Sequence, residues 1–195
     1  MRALVYYVAL TLDGRIAGPR GEFDFFPVGD PEQAAAYAGA INARYPETVP
    51  TAFRTAAGVA EEPNRRFDTV VMGAGTYRLN QESTGVTSPY AHLRQYVVSS
   101  TLAPDTDPAV TVTADPLALV RSLKAEPGAD IWLCGGGRLA GALLPEIDAL
   151  ILKTYPVVAG AGVPAFDGGF DPTAFTVTER AAFANGAAVT WLARR

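Results

Sequence analysis

Apolar residues along this chain fall in short continuous runs of strand length, separated by turn residues or by longer stretches with helical character. The first run, Leu4-Val5-Tyr6-Tyr7-Val8-Ala9-Leu10, predicts a buried strand over residues 3–10 that stops at the Asp13-Gly14 turn signal. Residues 14–27 have little periodicity and hold three phenylalanines in Glu22-Phe23-Asp24-Phe25-Phe26. Asp30-Pro31 joins an N-cap to a first-turn proline and predicts a helix to about Arg44, with a second helix over 48–58. Beyond Phe67 strand and helix alternate. Strands are expected over 69–72, 95–99, 110–113, 131–134 and 148–155, and helices from the Asp115-Pro116 cap to Lys124 and over 138–144. A Gly/Pro loop over 156–169 leads to two strands, 175–183 and 187–193, joined as a hairpin across Asn185-Gly186.

Strands that are apolar without alternation and are separated by helices imply a mainly parallel sheet covered on both faces. The fold class expected is α/β: one three-layer domain over 1–195, with a central, mainly parallel sheet and an antiparallel hairpin at its C-terminal edge.

Composition narrows the chemistry. The single cysteine, Cys134, excludes an intrachain disulfide and a cysteine zinc cluster, which fits a reducing cytoplasm. The single histidine, His92, excludes the two-histidine zinc hydrolases, and no metal site is expected. His92 lies in a polar stretch, Ser88-Pro89-Tyr90-Ala91-His92, and reads as an exposed loop or helix-end residue rather than a member of a hydrolytic triad. With 16 Lys and Arg against 20 Asp and Glu there is no basic footprint for nucleic acid. No apolar run approaches the roughly 20 residues needed to span a bilayer. Chemistry must come from carboxylates, Tyr, Lys or a bound cofactor.

Two strand ends carry glycines followed at once by a helix: Gly73-Ala74-Gly75-Thr76 and Gly135-Gly136-Gly137-Arg138. In a parallel α/β sheet ligands settle at the carboxyl ends of strands, and a helix N-terminus approached over glycine favours a phosphate. Either glycine motif also suits a tight turn. Neither has the spacing of the dinucleotide fingerprint or of the P-loop.

In this order the segments resemble the dihydrofolate reductase-like family, in particular the C-terminal reductase domain of riboflavin biosynthesis and its small bacterial relatives. Five stretches carry the resemblance: Ala9-Leu10-Thr11-Leu12-Asp13-Gly14-Arg15-Ile16-Ala17-Gly18, Val70-Val71-Met72-Gly73-Ala74-Gly75-Thr76-Tyr77, Val98-Ser99-Ser100-Thr101, Ile131 through Leu139, and Asp148 through Phe166. The resemblance implies NADPH along the strand ends, with NADH left open. Ala9 and Ile16 would meet the nicotinamide half, Gly73, Gly75 and Thr76 the phosphates, Ser99 and Ser100 the adenosine ribose and its 2′-phosphate, and Gly135, Gly136, Gly137, Arg138 and Leu139 the pyrophosphate. It further implies a homodimer and a small-molecule substrate.

The sequence departs from the family at three places. Ala74 stands where folate-type members often carry a basic residue, and Arg78 or Arg94 would have to replace it. Phe25-Phe26-Pro27 replaces a Trp-Ile-Thr-Ser segment, and Cys134 replaces an acid, which counts against a pyrimidine ribityl phosphate substrate. Cys134 reads as an inert core thiol. Asp24, flanked by aromatics that would raise its pKa, is the candidate catalytic acid, while Asp13 and Asp30 are read as turn and cap. Tyr7, Phe25 and Lys153 are the candidate substrate contacts. Two functions remain open: hydride transfer to a small planar heterocycle or C=N compound, and a nucleotide-binding or sensor module of the same fold without turnover.

Overall fold

The apolar runs become the inner strands of an eight-stranded sheet. The computed structural model describes residues 1–103 and 107–195. Its parallel strands are β1 (Leu4–Leu10), β3 (Phe67–Gly73), β4 (Arg94–Val98), β5 (Val110–Thr113), β6 (Asp130–Gly135) and β7 (Ala149–Thr154). The terminal strands β9 (Phe175–Ala182) and β10 (Ala188–Arg194) form the expected hairpin, with β10 antiparallel to β7. The spatial order is β5-β4-β3-β6-β1-β7-β10-β9. The hairpin turns where its residues predict: Gly186, at φ +82°, sends its N–H to the Phe183 carbonyl at 2.9 Å.

Helices α1 (Pro31–Arg44) and α2 (Ala74–Thr84) cover one face, and α3 (Pro116–Ala125) and α4 (Gly137–Ala142) cover the other. Alternation along each strand divides the core in two. Val5, Tyr7, Trp132 and Ile151 turn towards Tyr37 and Ile41 of α1 and Tyr77 of α2. Leu4, Tyr6, Leu133 and Leu150 turn towards Val120 and Leu123 of α3 and Leu139 of α4. The caps form as the sequence predicts. Asp30 accepts from the Gln33 N–H at 2.9 Å while the Gln33 side chain accepts from the Asp30 N–H, a full capping box, and Asp115 accepts from the Ala118 N–H at 3.0 Å.

The helix expected over 48–58 does not form. Two single 3-10 turns, Pro46–Thr48 and Thr51–Phe53, stand there instead. Pro50 interrupts the segment, and Glu47 competes with a helix for backbone partners. Its fully buried carboxylate accepts N–H bonds from Arg65, Arg66 and Phe67 at 3.2, 2.8 and 2.8 Å, stapling the segment to the start of β3. His92 is half-buried in a turn, correcting the exposed position expected for it. Its Nε2–H donates to the Glu47 carbonyl at 2.8 Å, and Nδ1 faces the Thr51 hydroxyl at 3.0 Å. Burial lowers its pKa, so it is held neutral as a structural tie.

A small second sheet went unseen in the sequence. Within the first loop β2 (Arg15–Ala17) pairs antiparallel with β8 (Val163–Pro164) of the Gly/Pro loop. Asp13 locks the two loops together by accepting N–H bonds from Ala159 and Gly160 at 3.0 and 2.8 Å and a hydroxyl from Thr11. These donors hold its carboxyl at about pKa 2. It is therefore a long-range tie as well as the local turn residue expected.

Candidate functional site

The carboxyl ends of all six parallel strands lie on one edge of the sheet, and the two glycine motifs meet there. A Cβ on Gly73 would lie 3.5 Å from both the Gly135 carbonyl oxygen and the Gly136 nitrogen, so the turns are in contact. A Cβ on Gly136 would meet only Thr76 Oγ1 at 3.6 Å and Ile16 Cδ1 at 3.9 Å, and one on Gly75 would meet nothing within 4 Å. The cradle left by these missing side chains brings together Gly73, Gly75, Thr76, Gly135, Gly136 and Ile16. Gly73 is the N-cap of α2 and offers no side-chain oxygen to the first-turn N–H groups, which suits an anion. The Gly135–Gly136 peptide is cis. Among the described residues, the shape and donors of this cradle fit the phosphates of a dinucleotide.

Other expected cofactor residues have duties of their own. Gly137 is glycine for packing: a Cβ there would lie only 2.0 Å from the Pro164 carbonyl oxygen. Leu139 is buried in the second core, and the Arg138 side chain is exposed, 3.6 Å from Asp167. Ser99 ends β4 beside Gly73, but its hydroxyl accepts from the N–H groups of Thr101 and Leu102 at 3.2 and 2.9 Å, leaving Ser100 as the exposed hydroxyl of the pair. Arg94 lies at the opposite edge of the sheet, starting β4, and pairs with Glu126 at 2.6 Å. It cannot stand in for the base missing at Ala74. Arg78 is exposed on α2, one turn beyond Ala74.

Beside the cradle, between α1 and the sheet, lies a cleft of about 470 Å³. The α1 residues Ala34, Tyr37, Ala38 and Ile41 line it at helical spacing, opposite Tyr7, Lys153 and Tyr155 from the strand side. Ala9 of β1 is in register with Lys153 of β7, and β1 lies between β7 and β6, the strand that ends in the Gly135 turn. Lys153 Nζ lies 4.2 Å from the centroid of the Tyr7 ring. Tyr155 donates its hydroxyl to that of Tyr37 at 3.1 Å. Burial holds the Tyr7 and Tyr37 hydroxyls well above the ordinary tyrosine range, pushes Cys134 up to about 12, and lowers Lys153. Cys134 is thus the unreactive thiol expected.

Two substrate-side expectations need correction. Asp24 is exposed, in a shallow depression with Arg20, Gly21, Glu22, Phe23 and Leu79, away from the cleft under α1, and is not the acid enclosed by aromatics that was expected. Phe25 stacks on Phe26 at 4.6 Å, and Phe26, not Phe25, reaches Tyr155 at 5.0 Å. Sequence reasoning missed Tyr37 and Tyr155. The 34/37/38/41 spacing on α1 was a legible signal for the first; nothing local marked the second.

Comparison with known proteins agrees with this architecture. The family model of the RibD C-terminal domain matches residues 2–189. The chain is 30% identical over 168 residues to the uncharacterized protein YwjB of Bacillus subtilis (strain 168), covering 85% of this chain and 83% of that protein. It is 28% identical over 177 residues to YyaP of the same organism, covering 85% and 80%. Among solved structures, a protein assigned to riboflavin biosynthesis from Shewanella sp. PV-4 superposes with a TM-score of 0.68 at 23% identity, covering 99% of both chains. The diaminohydroxyphosphoribosylaminopyrimidine deaminase/5-amino-6-(5-phosphoribosylamino)uracil reductase of Thermotoga maritima superposes with a TM-score of 0.61 at 15% identity, covering 100% of this chain and 57% of that one. The parallel sheet and its antiparallel edge hairpin are thus those of the RibD C-terminal domain family, to which this chain belongs.

Proposed function

We propose that the chain is a reductase that passes hydride from NADPH to a small planar heterocycle, pterin-like or pyrimidine-like, or to a C=N compound. The observation that carries this reading is the glycine cradle of Gly73, Gly75, Thr76 and Gly136 at the ends of β3 and β6, with β1 and then β7, the strands behind the aromatic cleft, next in the sheet. Bound there, the nicotinamide would supply the hydride that the chain's own side chains cannot. The cradle N–H groups and Thr76 would hold phosphate, Ser100 the adenosine ribose, and Ala9 and Ile16 the nicotinamide half. Tyr7, Tyr37 and Tyr155 would sandwich the acceptor ring and exclude water. Preference for NADPH over NADH falls to Arg78.

The test is a fluorescence titration with NADPH and NADH, followed by Gly75→Asp. That change places a carboxylate where the phosphate would sit, in space that is open, and should weaken NADPH binding at least tenfold while leaving the fold at least as stable, because an acid near a helix N-terminus is favourable. Unchanged NADPH affinity in Gly75→Asp, or no binding by the parent chain, would overturn the reading.

One observation favours the second reading, a nucleotide-binding module without turnover: among the described residues no carboxylate lines the cleft. NADPH binding with no oxidation across pterins, pyrimidines and quinones would select it.

A further inference from the structure

The chain has two lysines, and they meet opposite surroundings. Lys124 pairs with Asp148 at 2.7 Å and donates to the Glu146 carbonyl at 2.6 Å. Lys153 has no acidic partner among the described residues. Its nearest neighbours are the face of the Tyr7 ring, the Tyr155 hydroxyl and the Cys134 thiol. Burial raises the Tyr7 hydroxyl and the Cys134 thiol, and among the described residues no Asp or Glu lines the cleft. A ring face offsets part of the cost of desolvating an ammonium, yet a buried cation is well settled only when an anion meets it.

The rest of the cleft describes what that anion would be attached to. Its walls are mostly ring faces and aliphatic side chains, with Asn42 and Thr48 as neutral polar members, and its volume of about 470 Å³ suits one small molecule. At its lip Phe53 and Val28 are exposed to 43% and 56%, apolar surface that a bound ring would cover. We propose that the cleft is built for a planar aromatic or heteroaromatic acid, whose carboxylate pairs with the Lys153 ammonium while its ring lies among Tyr7, Tyr37 and Tyr155. As a statement about substrate this rests on the reductase reading; as a statement about binding it needs only the cleft. With Lys153 half-buried, the ion pair is screened less than on an open surface, so charge should contribute strongly to selection.

The test uses the full chain, without nicotinamide, titrated calorimetrically with naphthalene-2-carboxylate and, separately, with the neutral naphthalene-2-carboxamide of nearly the same shape. The carboxylate should bind at least tenfold more tightly, and Lys153→Met, which keeps the length of the stem, should abolish the preference. Lys153→Gln serves if the Met variant does not fold, and thermal unfolding reports that. Equal affinities for the two probes, no binding of either, or a preference that survives in the variant would each overturn the proposal. A carboxylate preference in a chain that fails to bind NADPH would support the proposal while removing the reductase reading, so the two fail separately.

Discussion

The two faces of the sheet are built from different residues, and the difference separates stability from recognition. Under α3 and α4 the core is mainly aliphatic, with Leu4, Val71, Leu123, Ile131, Leu133 and Leu143 packed around Tyr6, and with Tyr96, Phe166 and Phe175 only partly buried at its margin. Under α1 and α2 it is aromatic: Tyr7, Tyr37, Tyr45, Phe67, Tyr77, Tyr90, Trp132, Tyr155 and Trp191. Aliphatic side chains interdigitate to crystal-like density and leave no polar group to satisfy. Rings with hydroxyl and indole N–H groups need partners, found here as Trp191 to Tyr45 at 2.7 Å, Tyr77 to the Thr87 carbonyl at 2.6 Å and Tyr155 to Tyr37. Their stiff planes also leave a cleft with room for a ligand. One face holds the sheet together, and the other also offers a surface to a guest.

That division can be broken most forcefully from the aliphatic side. Leu123→Ala removes a side chain only 1% exposed, far from the cleft, and should cost about 3 kcal/mol of unfolding free energy by denaturant titration, with the carboxylate and nucleotide affinities of the folded protein unchanged. A large loss of affinity in the folded variant would show that the faces are not independent.

A smaller effect should come from Lys153. Burial lowers its pKa below the ordinary 10.5, so the unfolded chain binds more protons between the two values and stability rises with pH across that window. Lys153→Met should lose this rise and be the more stable of the two below the window. Tyr7, Tyr155 and Cys134 face the amine, and burial pushes the Cys134 thiol up to about 12, above the window. Identical profiles would mean that Lys153 is not isolated from solvent and counter-charge.

The smallest effect expected is that of His92, at the rim of the aromatic face. Its folded pKa lies below 6.5, so the native state resists protonation and the stability gained from the neutral ring is complete above pH 6.5 and lost as pH falls through and below it. His92→Gln, compared with the parent over this range by urea unfolding, should flatten that part of the profile. A parent profile already flat there would place the ring in contact with bulk water.

Legibility followed the range of the interactions. The strands, the Asp30 and Asp115 caps and the Asn185-Gly186 turn were readable because each is decided within a few residues. Residues 48–58 misled because the partners of Glu47 are the N–H groups of residues 65 to 67, beyond any local window. The pairing of β2 with β8 was hidden for the same reason, since it joins segments about 150 residues apart. In the site, the glycine turns were visible as motifs, but their contact with one another was not. Asp24 illustrates the reverse: three neighbouring phenylalanines in sequence resembled a pocket, and in space Phe25 and Phe26 pack on each other while Asp24 and Phe23 are exposed.

By itself, then, the sequence determined the α/β class, the order of elements, the two glycine turns and the poverty in catalytic side chains that makes an external cofactor the natural reagent. These follow from backbone propensity, hydrophobic pattern and composition, all local or additive. Only the tertiary structure decided which glycines are cradle and which are packing, that Gly137 is glycine because the Pro164 carbonyl is there, and that Lys153 meets a ring instead of a carboxylate. Those outcomes depend on which strands become neighbours, and parallel pairing across long crossovers sets that through the whole core at once.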